Sequence, residues 1–261
     1  ADTIRDTAVA QPLIVAASLL ALAALETELA AVGASRPTGI AGHSVGEIAA
    51  LVGAGVITAE TGMSLVGVRG RAMATAAANA GPTGMSAIIG GDEGEIVGRL
   101  AALGLTPANM NGAGQIVAAG AMDALAALSA EPPAGTRVIP LQVAGAFHTS
   151  SMEPAVAALR EAASAVSPTD PIGTLWTNHD GSIVTSGATA LDLLVGQVAS
   201  PVRWDRCMAS FADAGVTGII ELTPAGTLVG LAKRALKGVP TVAIKTPEDL
   251  ASAVTLIEEA A

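Results

Sequence analysis

The chain has no tyrosine, two phenylalanines and two tryptophans. It therefore lacks the aromatic platforms on which bases stack. It is also short of positive charge: 13 Lys and Arg face 23 Asp and Glu, for a formal net charge of −10. An anionic surface repels phosphate backbones, so nucleic acid is excluded as a partner on two grounds. The single cysteine, Cys207, permits no disulfide and no cysteine-based zinc site, and fits a reducing, cytoplasmic setting. A bilayer-spanning run is missing as well. The longest early apolar run, "LIVAASLLALAAL" at 13 to 25, has 13 residues, against the ~20 a span needs. Its flank carries Asp2 and Asp6, the wrong charge for a signal peptide. The run reads as a buried helix with Pro12 in its first turn.

What is present is a core. Of 261 residues 51% are hydrophobic and 14% charged, enough for one large domain or a domain with a smaller one inserted. After the first helix, "TGIAGH" reads as a strand and "EIAALVGAGV" as the start of a helix. "ITAETGMSLVGVRGRAMATAAA" follows as a helix with Thr58 as its cap. From "NAGPTG" the pattern changes to strand, helix, strand, strand, helix, strand, ending at "TRVIPLQV". That order is the ferredoxin-like split unit, expected here as a subdomain at about 81–143. Residues 144–261 then alternate helices and strands again, and rejoin 1–80 in a discontinuous α/β domain whose parallel sheet is flanked by helices.

"GHSVG" places Ser44 between Gly42 and Gly46, after a strand and before a helix. This is the nucleophile-elbow pattern, in which a sharp turn lifts the hydroxyl out of the sheet and glycines avoid clashes with strand and helix. The helix N-terminus favours a developing oxyanion, and the Val45 N–H is the expected donor. A serine needs a base, and there are three histidines. His43 adjoins the serine and reads as lining the pocket. His179, in "TNHDG", reads as an exposed turn residue. His148, in "VAGAFHTSSMEPA", lies where the chain re-enters the large domain and is the best base available to Ser44.

"GHSVGE", "VRGRAM", "NMNGAGQIVAAG", "VAGAFHTSSMEPA" and "GQVASPVRW" occur in this order. Together they resemble the malonyl-CoA:acyl-carrier-protein transacylases and the related acyltransferase domains of polyketide synthases, over nearly the whole chain. The resemblance implies that Ser44 is the nucleophile and that His148 is its general base and then its general acid. It further implies that the backbone carbonyl of Gln197 orients the histidine, with no Asp completing a triad. Arg69 corresponds to the arginine that grips the free malonyl carboxylate, Asn111 to an asparagine near the pocket, and Gln11 to a glutamine beside it. Phe147, just before the histidine, corresponds to the residue associated with malonyl rather than methylmalonyl units. Two departures are visible. Family members begin with a strand and a "GQG" loop whose glutamine supplies a second oxyanion donor, and this sequence starts after that point. Ala225 stands where many relatives have glycine.

The implied reaction needs no metal or redox cofactor. Its partners are malonyl-CoA and acyl carrier protein, with the chain expected to be a monomer and to have no membrane partner. Carrier proteins are acidic, so Lys233, Arg234 and Lys237 in "LAKRALK" form the expected docking patch. Two rivals remain at this stage. A serine esterase of the α/β-hydrolase type shares the elbow, but places its histidine late in the chain, and no histidine follows His179. A non-catalytic scaffold would gain no mass from malonyl-CoA.

Overall fold

The structure, a computed structural model, describes residues 4, 6–143 and 145–260. Asp2 and the expected re-entry point at residue 144 lie outside the described residues. Helix α1, Thr7–Val32, starts earlier than the apolar run because the Asp6 carboxylate accepts from the Ala8 N–H at 2.9 Å and caps it. Pro12 therefore sits in the second turn rather than the first. With 26 residues and a mean hydropathy of 2.1 in its most apolar window, α1 meets by length and composition the criterion for a membrane span that the 13-residue run was expected to miss, because the helix extends beyond that run at both ends. It is not buried all round as expected: Val15, Leu25 and Leu29 are in the core, while Leu13, Leu20 and Val32 are exposed. Its first turn lies against Gly70, where a Cβ would meet the Thr7 carbonyl at 3.0 Å. Its last turns cover Ile220, Val242 and Ile244.

Strand β1, Gly39–Ile40, leads through the serine turn into α2, Gly46–Gly53, and then α3, Ala59–Asn79. Thr58 caps α3 by accepting from the Thr61 N–H at 3.1 Å. The next segment contains β2 (Thr83–Gly90), α4 (Glu93–Ala102), β3 (Thr106–Gly112), β4 (Gln115–Ala121), α5 (Met122–Ala130) and β5 (Thr136–Pro140). Its four strands are antiparallel in the order β3-β4-β2-β5, the ferredoxin-like arrangement. Alternation along the strands divides its two faces. Ile88, Ile116 and Ala118 pack under α4 and α5, whereas Met85, Ala87, Val117 and Ala119 pack with Ala146 and Phe147 of the returning chain.

The return comprises α6 (Glu153–Ser164), β6 (Thr174–Leu175), α7 (Gly187–Gln197), α8 (Trp204–Asp213), β7 (Ile219–Glu221), α9 (Thr227–Ala235), β8 (Thr241–Ala243) and α10 (Leu250–Ala260). Strand β1 pairs with β6 and β7 with β8, both in parallel. The expected single parallel sheet is thus two separate pairs among the described residues. These strands are only two or three residues long, so the helices over them fix their positions more than a continuous ladder does. Glu221 at the end of β7 accepts from the N–H groups of Gly226, Leu228 and Val229, which holds the start of α9. The two units meet through Val202, whose N–H donates to the Ala108 carbonyl and whose carbonyl accepts from Met110, both at 2.9 Å.

Candidate active site

Ser44 occupies the turn between β1 and α2 with φ 51°, a left-handed conformation that a non-glycine residue adopts only when its surroundings impose it. Gly42 is obligatory, since a Cβ there would lie 2.0 Å from the Gly46 carbonyl oxygen. Gly46 is not: a Cβ there would meet nothing within 4 Å, so the expectation of a clash on both sides fails on the helix side, which faces open space. The Val45 N–H has no acceptor among the described residues and stands at the first turn of α2, where an oxyanion would find it.

The imposing partner is Asn178, a residue that sequence reasoning passed over in favour of its neighbour His179. Its side-chain Oδ1 accepts from the Ser44 N–H and its Nδ2 donates to the Gly42 carbonyl, each at 2.7 Å. One fully buried amide thus clamps both sides of the turn. The only signal in the sequence was an Asn in a turn after a strand, the same that any Asx turn gives. Asn178→Ala would leave a buried donor and acceptor unpaired, at about 1–3 kcal/mol each. The expected result is a lower melting temperature and a fall in kcat with KM little changed, read by thermal melts and steady-state kinetics.

His148 also has a positive φ, 61°, in the segment leading to α6. Its Nε2 is 2.7 Å from Ser44 Oγ, and its Nδ1–H donates to the Gln197 backbone carbonyl at 2.9 Å. The backbone bond fixes the tautomer that leaves Nε2 free to accept the serine proton. Burial, with the Arg69 charge second, pushes the imidazole down to about 3. At neutral pH it is therefore a neutral base.

Arg69, on α3, is 1% exposed and reaches the same centre. Its guanidinium donates to Gln11 Oε1 at 2.5 Å and to Gln197 Oε1 at 2.9 Å, and lies 3.4 Å from Ser44 Oγ. Its Nε has no hydrogen-bond partner among the described residues. Burial lowers its pKa to about 10, so it remains charged at neutral pH, with Glu47 opposing the shift. A buried cation with a spare donor, one side chain from a nucleophile, suits a short acyl group that ends in a carboxylate.

The other candidates are brought to the same region by different routes. Gln11 bonds to Thr7 and Met73 as well as Arg69, so it holds the guanidinium from the α1 side. Gln197 contributes its side chain as well as the expected backbone carbonyl. His43 Nε2 is 2.8 Å from Asn111 Oδ1 on β3, and its ring packs edge-on to Trp204. The pair ties the serine turn to the small subdomain, and burial lowers the His43 pKa. Phe147 is half-buried and packs on both the large-domain core and the small-subdomain face. His179 is exposed, as expected of a turn residue. Lys233, Arg234 and Lys237 are exposed at the end of α9 and just beyond. Cys207 is fully buried, its thiol donating to the Thr177 carbonyl and pushed up to about 12, which makes it unreactive. Among the described residues no group of three or more His, Cys, Asp or Glu could hold a metal ion.

A neutral imidazole on the hydroxyl of a strained serine, beside the unbonded Val45 N–H, suits the making of acyl esters: this is the site of a serine acyltransferase or a serine hydrolase. Comparison with known proteins separates the two. The family model described as "Acyl transferase domain" matches residues 1–255. The chain is 54% identical to the malonyl CoA-acyl carrier protein transacylase of Mycolicibacterium smegmatis, over 96% of this chain and 86% of that one. The crystal structure of MCAT from Mycobacterium tuberculosis superposes with a TM-score of 0.92 at 52% identity, covering 97% of this chain and 83% of that one. A malonyl-transacylase solved in complex with its holo type II PKS acyl-carrier protein gives a TM-score of 0.87 at 30% identity, over 97% and 82%. The chain belongs to the acyl transferase domain family, among its malonyl CoA-acyl carrier protein transacylases.

Proposed function

We propose that the chain moves a malonyl group from malonyl-CoA to the phosphopantetheine thiol of an acyl carrier protein, through a malonyl ester on Ser44. The observation that carries this reading is Arg69, buried and 3.4 Å from Ser44 Oγ. In a malonyl ester a single methylene separates the ester carbonyl from the carboxylate, so a group esterified to Ser44 brings its carboxylate to that guanidinium.

The steps follow from the geometry. His148 Nε2 takes the Ser44 proton as Oγ attacks the thioester carbonyl, and the Val45 N–H stabilises the oxyanion. The tetrahedral adduct collapses, the C–S bond breaks, and the CoA sulfur leaves with the proton from His148. In the second half the carrier thiol gives its proton to His148 and attacks the malonyl ester. Ser44 Oγ leaves and recovers the proton. Arg69 does more than hold the acid. Its charge depresses the His148 pKa, and a carboxylate paired with it relieves that field, so malonyl substrates make the imidazolium easier to form than acetyl ones do.

The acceptor distinguishes this reading from an esterase. Purified malonyl-enzyme is expected to discharge quickly onto holo acyl carrier protein and slowly into water; discharge into water at the same rate with and without carrier would make it a hydrolase. Lys233, Arg234 and Lys237 are the proposed docking patch, and a monomer working in the cytoplasm completes the reading. No metal or redox cofactor takes part in these steps.

Phe147 sets the acyl group. Its ring is wedged between two cores, so it yields little to an α-methyl group. Overpacking costs typically ~1–3 kcal/mol, so kcat/KM for methylmalonyl-CoA is expected to be roughly ten- to a hundredfold below that for malonyl-CoA. Equal values for the two esters would remove Phe147 from this role.

A further inference from the structure

Among the described residues Glu47 is the one carboxylate in this centre, and the reaction above makes no use of it. It sits on α2, three residues after the nucleophile, and is 3% exposed. One carboxylate oxygen accepts from the Asn178 backbone N–H at 3.0 Å, and the other accepts a short hydrogen bond from Gln197 Nε2. Each of those partners is in direct contact with the reacting groups. Asn178 clamps Ser44 and Gly42. Gln197 holds His148 through its backbone carbonyl and Arg69 through its side-chain oxygen.

We propose that ionised Glu47 is the positioning residue of this site, fixing Gln197 and Asn178 so that the base, the carboxylate clamp and the serine turn keep one mutual geometry. This rests on the reading of Ser44 and His148 as nucleophile and base. The hydrogen bonds, including one from the Thr177 side chain, favour the ionised form. Both oxygens accept from N–H donors, and a protonated acid would turn its O–H against one of them. A neutral Glu47 therefore weakens its bond to Gln197 Nε2 and leaves that amide to Arg69, the Ser44 carbonyl and Asn178 Oδ1 alone, so the side chain that links the serine turn to the Arg69 clamp loses its anionic anchor.

The charged and titratable groups around Glu47 come from every neighbouring element: Arg69 on α3, His148 before α6, His43 in its own turn and Cys207 on α8. Arg69 stays protonated and Cys207 and His148 stay neutral through the neutral range, and burial shifts the His43 pKa downward. Burial of Glu47, first among its causes, raises its pKa to about 7, so its charge changes between mildly acidic and mildly alkaline solution.

The test compares the rate of malonyl-enzyme formation in wild type and Glu47→Gln, by rapid quench at pH 8.5 and pH 5.5. At pH 8.5 the variant is expected to be slower by on the order of ten- to a hundredfold, below the ~10⁴ of losing a group that orients the base directly. At pH 5.5 the wild type has itself lost the charge, and the ratio should shrink to about threefold or less. A folding defect lowers the variant equally at both pH values. A ratio near one at pH 8.5, or one that does not fall with acid, overturns the proposal. Gln197→Met keeps the backbone carbonyl while removing the side-chain link, and is expected to be slow and insensitive to pH in the same way. That variant decides the matter if Glu47→Gln does not fold. His148→Ala runs alongside: a normal rate there would overturn the reading beneath, whereas a dead His148→Ala beside a wild-type-like Glu47→Gln sinks this inference alone.

Discussion

Ser44→Ala is expected to form no malonyl-enzyme and to lose on the order of 10⁶-fold in turnover, the scale on which removal of an activated serine acts. The fold should survive. The substitution deletes one hydroxyl from a turn whose shape is imposed by Gly42 and by the Asn178 clamp. An alanine at φ 51° is no more strained than the serine it replaces. The hydrogen bond to His148 is lost, at about 1 kcal/mol, so the melting temperature should move little. Acylation of the purified variant at an appreciable rate would place the nucleophile elsewhere.

Arg69→Ala should separate two substrates that differ by a carboxylate. On the proposed role of Arg69, acetyl-CoA leaves the buried guanidinium without a directly bonded anion, with only the field of Glu47 to offset its burial, whereas malonyl-CoA supplies one. Breaking a buried ion pair costs about 3–5 kcal/mol, so malonyl transfer should fall by roughly 10²–10³ or more in kcat/KM. Acetyl transfer should hold or rise, for two reasons. The empty pocket carries no unmatched cation, and the charge that depresses the His148 pKa is gone. The variant also leaves the side-chain oxygens of Gln11 and Gln197 without their donor. Stability should therefore be measured beside the kinetics. An unchanged malonyl-to-acetyl ratio would reduce Arg69 to a structural residue.

These two residues were legible in the sequence for different reasons. Ser44 stood out because a strand, two glycines and a helix leave a serine nothing to do but protrude. Arg69 was legible through the resemblance carried by "VRGRAM", since Arg71 bears the same charge two residues on and only the fold buries one and exposes the other. The small subdomain was readable from the order of its strands and helices, since the antiparallel sheet it forms is local in the chain. The parallel strands were overestimated. Runs such as "TGIAGH" look like full strands, but only Gly39 and Ile40 enter a ladder. Their apolar residues are satisfied by helix packing instead. The start of α1 was misplaced because Pro12 was weighed as a start signal, while the cap at Asp6 was read only as a charge. Least visible was the polar network. Asn178 and Glu47 lie 131 residues apart and make sense only when β6 and α2 are side by side. No periodicity or spacing marks a residue whose partners come from the other end of the domain.

The central claim is that Ser44 carries the acyl group between the two thiols. Its most direct measurement is intact-protein and peptide mass spectrometry after brief mixing with malonyl-CoA, followed by addition of holo acyl carrier protein. A mass increase of one malonyl group is expected, located on the peptide containing Ser44, absent from Ser44→Ala, and transferred to the carrier's phosphopantetheine on the second addition. An unmodified enzyme that nevertheless passes malonyl groups to the carrier, or a malonyl group found on another residue, would contradict it.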